Sequence, residues 1–290
     1  MSLSAVLLAA VVVGTWNGNW FPSGRAEHRA HPAVEEATIT AAAEMLSRGL
    51  AEADPSGKCD VILCLHEMRG PRAASNLVAR IGRAGLRVVV ISGYRRRDRF
   101  DQQQDAIATT LPVASASWSR WRNAGKETPP RGYAFAAVVV EPAVTANVYA
   151  VHLKSNYGGN TQEKRDLNRV KRTKAIEQIL ELERSQRGGN ALPVIVAGDM
   201  NADKWRVEFK DERIFGAFES AGFDNPLSML PEKSRGTYPS KAHGDSALDY
   251  IFVRGIGCRS SPRIIPNNGL SDHYAVFAVL DQAAVSSCSQ

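Results

Sequence analysis

The amino-acid sequence predicts an α/β fold in which a mixed sheet, or two packed sheets, is flanked by helices. Two observations predict it. Short β-branched apolar runs recur along the 290 residues and outnumber the segments of helical period. Helices separate some of these runs and tight turns separate others, so the regular alternation of a doubly wound parallel sheet is missing.

The elements follow in order. Val11 to Trp16 is a β-branched run and reads as a buried strand. From Pro32 to Ala53, Val34, Ala37, Ala41, Met45 and Leu46 recur at helical spacing, and Asp54-Pro55-Ser56-Gly57 ends the helix. Val61 to Leu65 is a second buried strand, Pro71 to Ala84 a helix and Leu86 to Ile91 a third strand. Ala106 to Leu111 and Tyr133 to Val140 read as strands joined by a polar loop that carries Trp118 and Trp121. Asn147 to Val151 follows Pro142 and a short turn, which predicts a hairpin. Glu163 to Arg187 is one long charged helix stopped by Gly188-Gly189. Leu192 to Ala197 is a strand and Arg213 to Ala221 a helix. Pro226 to Gly244 reads as a long loop beside the site, and Leu248 to Val253 and Tyr274 to Leu280 are the last strands.

Hydrophobic content of 44% and charged content of 23% suit a globular chain with a real core, and the absence of repeats excludes solenoid architectures. One catalytic domain is expected over residues 11–282, with 1–10 as a signal-like lead and 283–290 as a tail. A net charge of +6 favours polyanionic partners. Cys59, Cys64, Cys258 and Cys288 lack zinc-ligand spacing. A Cys258–Cys288 bridge and free thiols are both open readings. Leu3 to Val13 resembles the apolar part of an export signal, with Leu8-Ala9-Ala10 near a cleavage point, although no Lys or Arg precedes it. A secreted or periplasmic setting is therefore expected slightly over a cytoplasmic one. The run is too short for a transmembrane helix.

Chemistry concentrates in polar motifs at strand ends: Thr15-Trp16-Asn17, His66-Glu67, His152-Leu153-Lys154-Ser155, Gly198-Asp199-Met200-Asn201, Leu248-Asp249-Tyr250 and Ser271-Asp272-His273. Strand ends at one sheet edge converge in space. Carboxylates, carboxamides and histidines gathered there would serve a hard divalent cation and a phosphate. Glu67 closes an apolar strand, where a buried carboxylate must be paired or metal-bound; a solvated strand-end Glu is the competing reading. Asp199 and Asn201, two apart, share a face of extended chain and would orient a water and bind a phosphoryl oxygen. An ordinary Gly-Asp-Asn turn competes with that reading. Asp249 supplies a carboxylate that would fix the tautomer of His273. His152 ends a strand and would contact phosphate.

In order and local context these motifs resemble the endonuclease/exonuclease/phosphatase superfamily, which includes deoxyribonuclease-I-like nucleases, abasic-site endonucleases, sphingomyelinases and inositol-polyphosphate phosphatases. The resemblance runs from Thr15 to Val279. Its most specific pieces are Gly198-Asp199-Met200-Asn201 and Ser271-Asp272-His273. It implies a four-layer α/β-β/α sandwich of two mixed sheets with the site at one rim. It also implies roles: Glu67 as principal metal ligand, and Asn17 and Asp272 as further ligands, direct or through water. Asp199 would position or deprotonate the attacking water, Asn201 and His152 would bind phosphate oxygens, and His273 with Asp249 would be the other catalytic imidazole. The chain departs from the family at His66, where Gln is more usual.

Such an oxygen-rich set suits magnesium, with manganese as the alternative, rather than zinc. The expected activity is phosphoester hydrolysis, as a nuclease or phosphodiesterase on DNA or RNA. A phosphatase or phospholipase on a small-molecule or lipid phosphate is the alternative, and a silent scaffold the third reading. Lys154 and Asn156 follow His152 and would line the rim, and Arg131 is expected to reach the site. Lys164, Arg165, Arg169, Lys171, Arg172 and Lys174 crowd a helix start, where cations oppose the macrodipole, so a grip on phosphates is expected there. Arg95-Arg96-Arg97-Asp98-Arg99 offers phosphate contacts, and Trp118, Trp121 and Tyr157 offer stacking surfaces. Against both stand solvated arginines and packed aromatics. Nucleic acid is thus the expected partner of a monomer.

Overall fold

The computed structural model describes residues 10–24, 32–96, 99–100, 103–141, 144–156, 159–186, 192–240 and 244–281. In chain order the elements are β1 (Ala10–Phe21), α1 (Pro32–Ala53), β2 (Asp60–Met68), α2 (Pro71–Ile81), β3 (Arg87–Ile91), β4 (Arg95–Arg96), β5 (Arg99–Phe100), β6 (Gln104–Thr109), β7 (Val113–Arg120), β8 (Gly132–Glu141), β9 (Val144–His152), α3 (Gln162–Gln186), β10 (Val194–Asp199), α4 (Ile214–Ser220), β11 (Asp249–Arg254), β12 (Gly257–Cys258), β13 (Arg263–Ile265) and β14 (Ala275–Asp281). Among the described residues, no helix is long and apolar enough to cross a membrane.

Twelve of these strands form two mixed sheets, and β4 and β5 pair only with each other. The first has seven strands in the order β12-β14-β1-β2-β6-β3, with β13 also on β14. The second runs β11-β10-β9-β8-β7. Each holds one parallel pair, β1 with β2 and β9 with β10. A parallel pair needs a long crossover, and here α1 and α3 supply it. The two crossover helices lie on the outer faces, which gives the expected sandwich of helix, sheet, sheet and helix.

Burial on both faces explains why the central strands read as unbroken apolar runs. Alternate residues of β1 go to different cores. Val11 and Val13 join Ile62 and Cys64 in one buried cluster with Ala134, Val148, Ala150, Ile195, Ala197 and Ile251 of the second sheet. Val12 and Trp16 join Leu63 and Leu65 against Ile39, Met45 and Leu46 of α1 and Leu77 and Val78 of α2. Ile176 and Ile179 of α3 and Phe218 of α4 close the other side.

Several predicted boundaries change. The polar loop expected between residues 111 and 133 contains a full strand, β7, paired antiparallel with β8. β7 is an exposed edge strand of Ala and Ser residues, which carry little strand propensity. Trp121 is buried against Tyr133 and is unavailable for stacking, whereas Trp118 is 41% exposed. β1 and β2 run past their apolar runs to Phe21 and Met68, and these extensions carry Asn17 and Glu67. α2 ends at Ile81 because Gly82 takes φ 71 and caps the helix. The expected long loop holds two tight 3-10 turns, Pro226–Met229 and Glu232–Ser234. Cys258 is a free thiol directed at the Ser260 carbonyl at 3.0 Å. Cys288, Tyr157, Arg97, Asp98, the first nine residues of the signal-like lead and the C-terminal tail lie outside the described residues.

α1 packs tightly on the first sheet at Gly49, where an added Cβ would overlap the ring of Phe277 on β14. Gly49→Ala should therefore destabilise the protein by about 1–3 kcal/mol through overpacking, against a helix-propensity gain of about 1 kcal/mol. Phe277→Leu in the same chain should recover part of the loss. Urea unfolding of the two single variants and the double variant reads this coupling directly.

Candidate active site

Strand register assembles the site from both sheets. In the second sheet His152 pairs with Asp199, and Asp199 pairs with Asp249, so three neighbouring strand ends present these side chains in a row. In the first sheet Asn17 pairs with His66, which places Glu67 one residue beyond. There both ladders slip, between Asn17 and Phe21 and between Leu65 and Met68. Glu67 has φ 57, and Asn19 and Trp20 have φ 48 and 61. Such non-glycine conformations cost about 1–3 kcal/mol each and persist only where surroundings over-determine them. The bulge turns the Glu67 carboxylate toward the other sheet. Its Oε2 accepts the Trp20 N–H at 3.1 Å. Its Oε1 lies 3.5 Å from Asn17 Nδ2 and 3.7 Å from His152 Nε2, and the carboxylate also accepts from the Gln103 side chain.

Asp199 is the meeting point. Its Oδ2 accepts from the carboxamides of Asn17 and Asn201, each at 3.0 Å. The same oxygen lies 3.5 Å from His152 Nε2 and 3.7 Å from His273 Nε2. Its Oδ1 accepts the Asn201 N–H at 2.8 Å. Gly198, with φ 151, passes so near the second sheet's own backbone that a Cβ would overlap the Val151 carbonyl oxygen.

His273 is held from two directions. Its Nδ1 lies 2.8 Å from Asp249 Oδ2, and the Thr237 hydroxyl donates to that oxygen at 2.7 Å. Thr237 Oγ1 in turn accepts the amides of Leu248 and Asp249 at 2.9 and 3.0 Å. The Tyr238 ring stands edge-on to the imidazole, 5.0 Å between centroids. The loop before β14 is tied to β1: Ser271 Oγ donates to the Asn17 carbonyl at 2.7 Å and the Trp16 indole donates to the His273 carbonyl at 3.2 Å. Asn267 Nδ2 donates to the Ser271 carbonyl at 2.9 Å. Thr237, Tyr238 and Asn267 are absent from the sequence-derived site. The only signal for the first two was their place in a long loop beside it.

Electrostatics follow from burial and neighbours. Burial raises the Asp199 carboxyl to about 6, with His273 opposing the rise and Asp249 adding to it. Burial lowers His273, but the charges of Asp249 and Asp199 outweigh it and bring the imidazole up to about 10. His152 is pushed well below the usual histidine range, by burial first and then by the charges of Arg131, His66 and His273. Burial raises Glu67, Gln103 and Arg131 oppose it, and the like charge of Asp272 raises it further. Asp272 itself is exposed.

Two groupings could hold a cation. Ligand atoms of Asp199, Asp249 and His273 lie within 4.8 Å of one another. However, Asp249 and His273 already spend Oδ2 and Nδ1 on each other. Glu67 fits better: Oε1 lies 3.5 Å from Asn17 Nδ2 and 3.7 Å from His152 Nε2, and the nearby Asp272 adds charge rather than relieving it. Carboxylates with a carboxamide beside them suit a hard divalent ion once the carboxamide presents its oxygen; here Asn17 turns Nδ2 to Glu67 and Asp199, and its Oδ1 accepts the Asn19 N–H at 3.0 Å.

Not every expected residue joins this cluster. Arg131, with φ 66, donates to the carbonyls of His152 at 3.0 Å and Leu153 at 2.8 Å and to Gln103 Oε1 at 3.1 Å. It braces the end of β9 rather than presenting its guanidinium to solvent. Asn156 Oδ1 accepts from Arg172 at 3.0 Å. Arg172, expected on a basic outer face, is wholly buried, paired with Glu212 and bonded to the Lys154 carbonyl at 2.7 Å. Lys154 is half-buried beside it, and burial, then Arg131, Lys171 and Arg172, pull its ammonium down to about 8. Lys164 and Arg165 are exposed at the start of α3, where they bond to Asn160, Gln162 and the Gly159 carbonyl and not to the cluster.

The chain matches the family model described as the Endonuclease/Exonuclease/phosphatase family over residues 14–273. Among solved structures, a D. rerio TDP2 humanized by 14 mutations superposes with a TM-score of 0.61 at 15% identity, covering 94% of this chain and 99% of that one. An endonuclease/exonuclease/phosphatase from Beutenbergia cavernae gives 0.62 at 15% identity, covering 94% of this chain and 72% of that one. D. rerio TDP2 complexed with single strand DNA product gives 0.60 at 15% identity, with 94% and 99% covered. At such identities the likeness shows the fold. No curated protein matches the chain in sequence.

The charge on His273 depends on Asp249. In Asp249→Asn the carboxylate is lost while the hydrogen-bonding shape is kept, so the imidazole pKa of the metal-free protein should fall by more than about one pH unit. An NMR titration of the ring protons checks this.

Proposed function

The chain belongs to the endonuclease/exonuclease/phosphatase family, and from that premise we propose that it hydrolyses phosphodiester bonds in DNA or RNA. The family consists of divalent-metal-dependent phosphoesterases. The observation that carries the reading is the position of Asp199 between the Asn17–Glu67 end of one sheet and the Asp249–His273 pair at the end of the other.

In this reading Glu67, with Asn17 and Asp272, holds magnesium or manganese. Bound there, the ion would supply charge neutralisation at the phosphoryl and leaving oxygens. Asp199 orients the attacking water in line with the scissile bond and takes its proton. Asn201 keeps that carboxylate fixed through its N–H and carboxamide; the second carboxamide N–H is given to the Leu153 carbonyl at 3.2 Å and would have to leave it to reach a substrate phosphate. His152 Nε2 lies beyond hydrogen-bond distance of both Glu67 and Asp199, which leaves it for a phosphoryl oxygen. His273 is held by Asp249 in its charged form, which suits it to stabilising charge that builds on phosphorus-bound oxygen rather than to accepting a proton.

The choice of nucleic acid rests on charge and on kinship. Lys154 lies beside the rim, Lys164 and Arg165 stay exposed in the first turn of α3 where a helix disfavours cations, and the whole chain carries +6. A protein of the same fold holds single strand DNA product. The test is a panel of plasmid DNA, single-stranded oligonucleotide, RNA, phosphomonoesters and lipid phosphates, each with magnesium, manganese or EDTA. Cleavage of nucleic acid that EDTA abolishes is expected. Turnover confined to phosphomonoesters or lipids would replace the nucleic-acid reading with a phosphatase or phospholipase.

Asp199→Ala and His273→Ala should keep the native circular dichroism and lower kcat by about 10²–10⁴-fold. Wild-type turnover in either would remove its role. Lys154 carries its charge below about pH 8 and loses it above. KM should therefore rise as pH passes through that value while kcat changes little, and Lys154→Met should abolish the rise.

A further inference from the structure

The His66 imidazole takes no part in the roles above, yet it is fully buried directly beneath them. Its Nδ1 lies 2.9 Å from Asp105 Oδ1, and its Nε2 lies 3.1 Å from Thr15 Oγ1. Asp105 is also fully buried; its Oδ2 accepts the Tyr94 hydroxyl at 3.2 Å and its N–H donates to Ser92 Oγ at 2.9 Å. The edge of the His66 ring faces the opposite sheet, where a Cβ on Gly198 would come within 2.9 Å of its Cε1. One ring thus touches β1 and β6 on either side of its own strand and β10 across the sandwich.

Every one of these contacts lies one or two residues from a site group. Thr15 is two before Asn17, His66 directly precedes Glu67, and Gly198 directly precedes Asp199. Asp105 is two after Gln103, whose carboxamide touches both Arg131 and Glu67. An apolar side chain of similar volume would fill this space with less desolvation cost. What it would lack is direction. Hydrogen bonds on both ring nitrogens fix the plane of the imidazole, and the plane decides how near β10 comes to β2.

Building on the functional reading above, we infer that His66 is a positioning residue. Oriented by Asp105 and Thr15, its ring sets the separation of the strand ends that bear Glu67 and Asp199. It thereby sets the distance between the cation-holding carboxylate and the carboxylate that orients the water.

The test compares His66→Ala, His66→Gln and Asp105→Asn in the full chain. The readouts are thermal unfolding, binding of Mn2+ followed by electron paramagnetic resonance, and kcat and KM on the panel substrate turned over best. In His66→Ala, kcat should fall about 100-fold with KM within about threefold, and Mn2+ should bind about tenfold more weakly. His66→Gln retains an N–H for Asp105 and should recover most of both losses, with Asp105→Asn between the two. A His66→Ala protein that melts earlier but keeps wild-type kcat and Mn2+ affinity while folded would overturn the inference. Should that variant fail to fold, wild-type kcat and Mn2+ affinity in Asp105→Asn would overturn it equally. If the wild-type chain binds Mn2+ yet cleaves nothing in the panel, the functional reading fails, and the Mn2+ comparison alone still decides for or against His66.

Discussion

The structure depends on keeping a charged group stable where water is excluded. Asp199 is 1% exposed and sits where two sheets meet. A bare carboxylate there would cost several kcal/mol. Two carboxamides, one backbone N–H and a charged imidazole surround it, drawn from Asn17, Asn201 and His273. These partners come from both sheets, so folding of the sandwich and completion of the site are one event. The sheets can close because, on β8, β9 and β10, the side chains two residues inside the rim are small. Ala134 pairs with Ala150, and Ala150 with Ala197, in register across β8, β9 and β10. By the two-residue repeat of a strand, Ala150 and Ala197 share the face of His152 and Asp199. Larger residues in that row would hold Asp199 away from Asn17.

From the same constraint comes a division between the two histidines. Both are buried, and burial alone disfavours charge on both. His273 escapes this because Asp249 and Asp199 flank it, while the cations Arg131 and Lys154 near His152 reinforce the effect of burial. Two imidazoles within 3.7 Å of one carboxylate oxygen therefore carry different charge. Thr237 secures the difference. By donating to Asp249 Oδ2 it keeps that carboxylate aimed at Nδ1 of His273, so that the ring can turn Nε2 toward the site.

What could be read from the sequence has a physical pattern. Asn17, Glu67, His152, Asp199, Asp249 and His273 were legible because each stands at the end of an apolar strand, and strand ends gather at a sheet rim. The central strands were legible because burial on both faces leaves unbroken β-branched runs. β7 was not, since an edge strand of Ala and Ser has neither a buried face nor a strong propensity. Thr237 and Gln103 were not, because their partners are fixed by tertiary contact and no local spacing announces them. Arg172 was placed wrongly for the same reason, and the bonds that Arg131 makes at the end of β9 were not legible either. A sequence shows that an arginine is basic, but not that Glu212, or the carbonyls of His152 and Leu153, will claim its guanidinium.

Buried Arg172 and half-buried Arg131 change how a polyanion would be gripped. Had they faced solvent, the rim would resemble a continuous basic track. Instead, Arg172 binds the carbonyl of Lys154, and Arg131 the carbonyls of His152 and Leu153. They stiffen the turn after β9 that presents Lys154 beside the site. Their positive charge still acts through the protein, and it is part of what makes the Lys154 ammonium easy to deprotonate. Fixed interior charge of this kind favours an anion at the rim without the need to order a long side chain when a ligand arrives. The cost is that the interior charge needs Glu212 as a counter-ion, and Glu212 is supplied from the segment just before α4. The outermost helical layer is thereby tied to the chemistry at the rim.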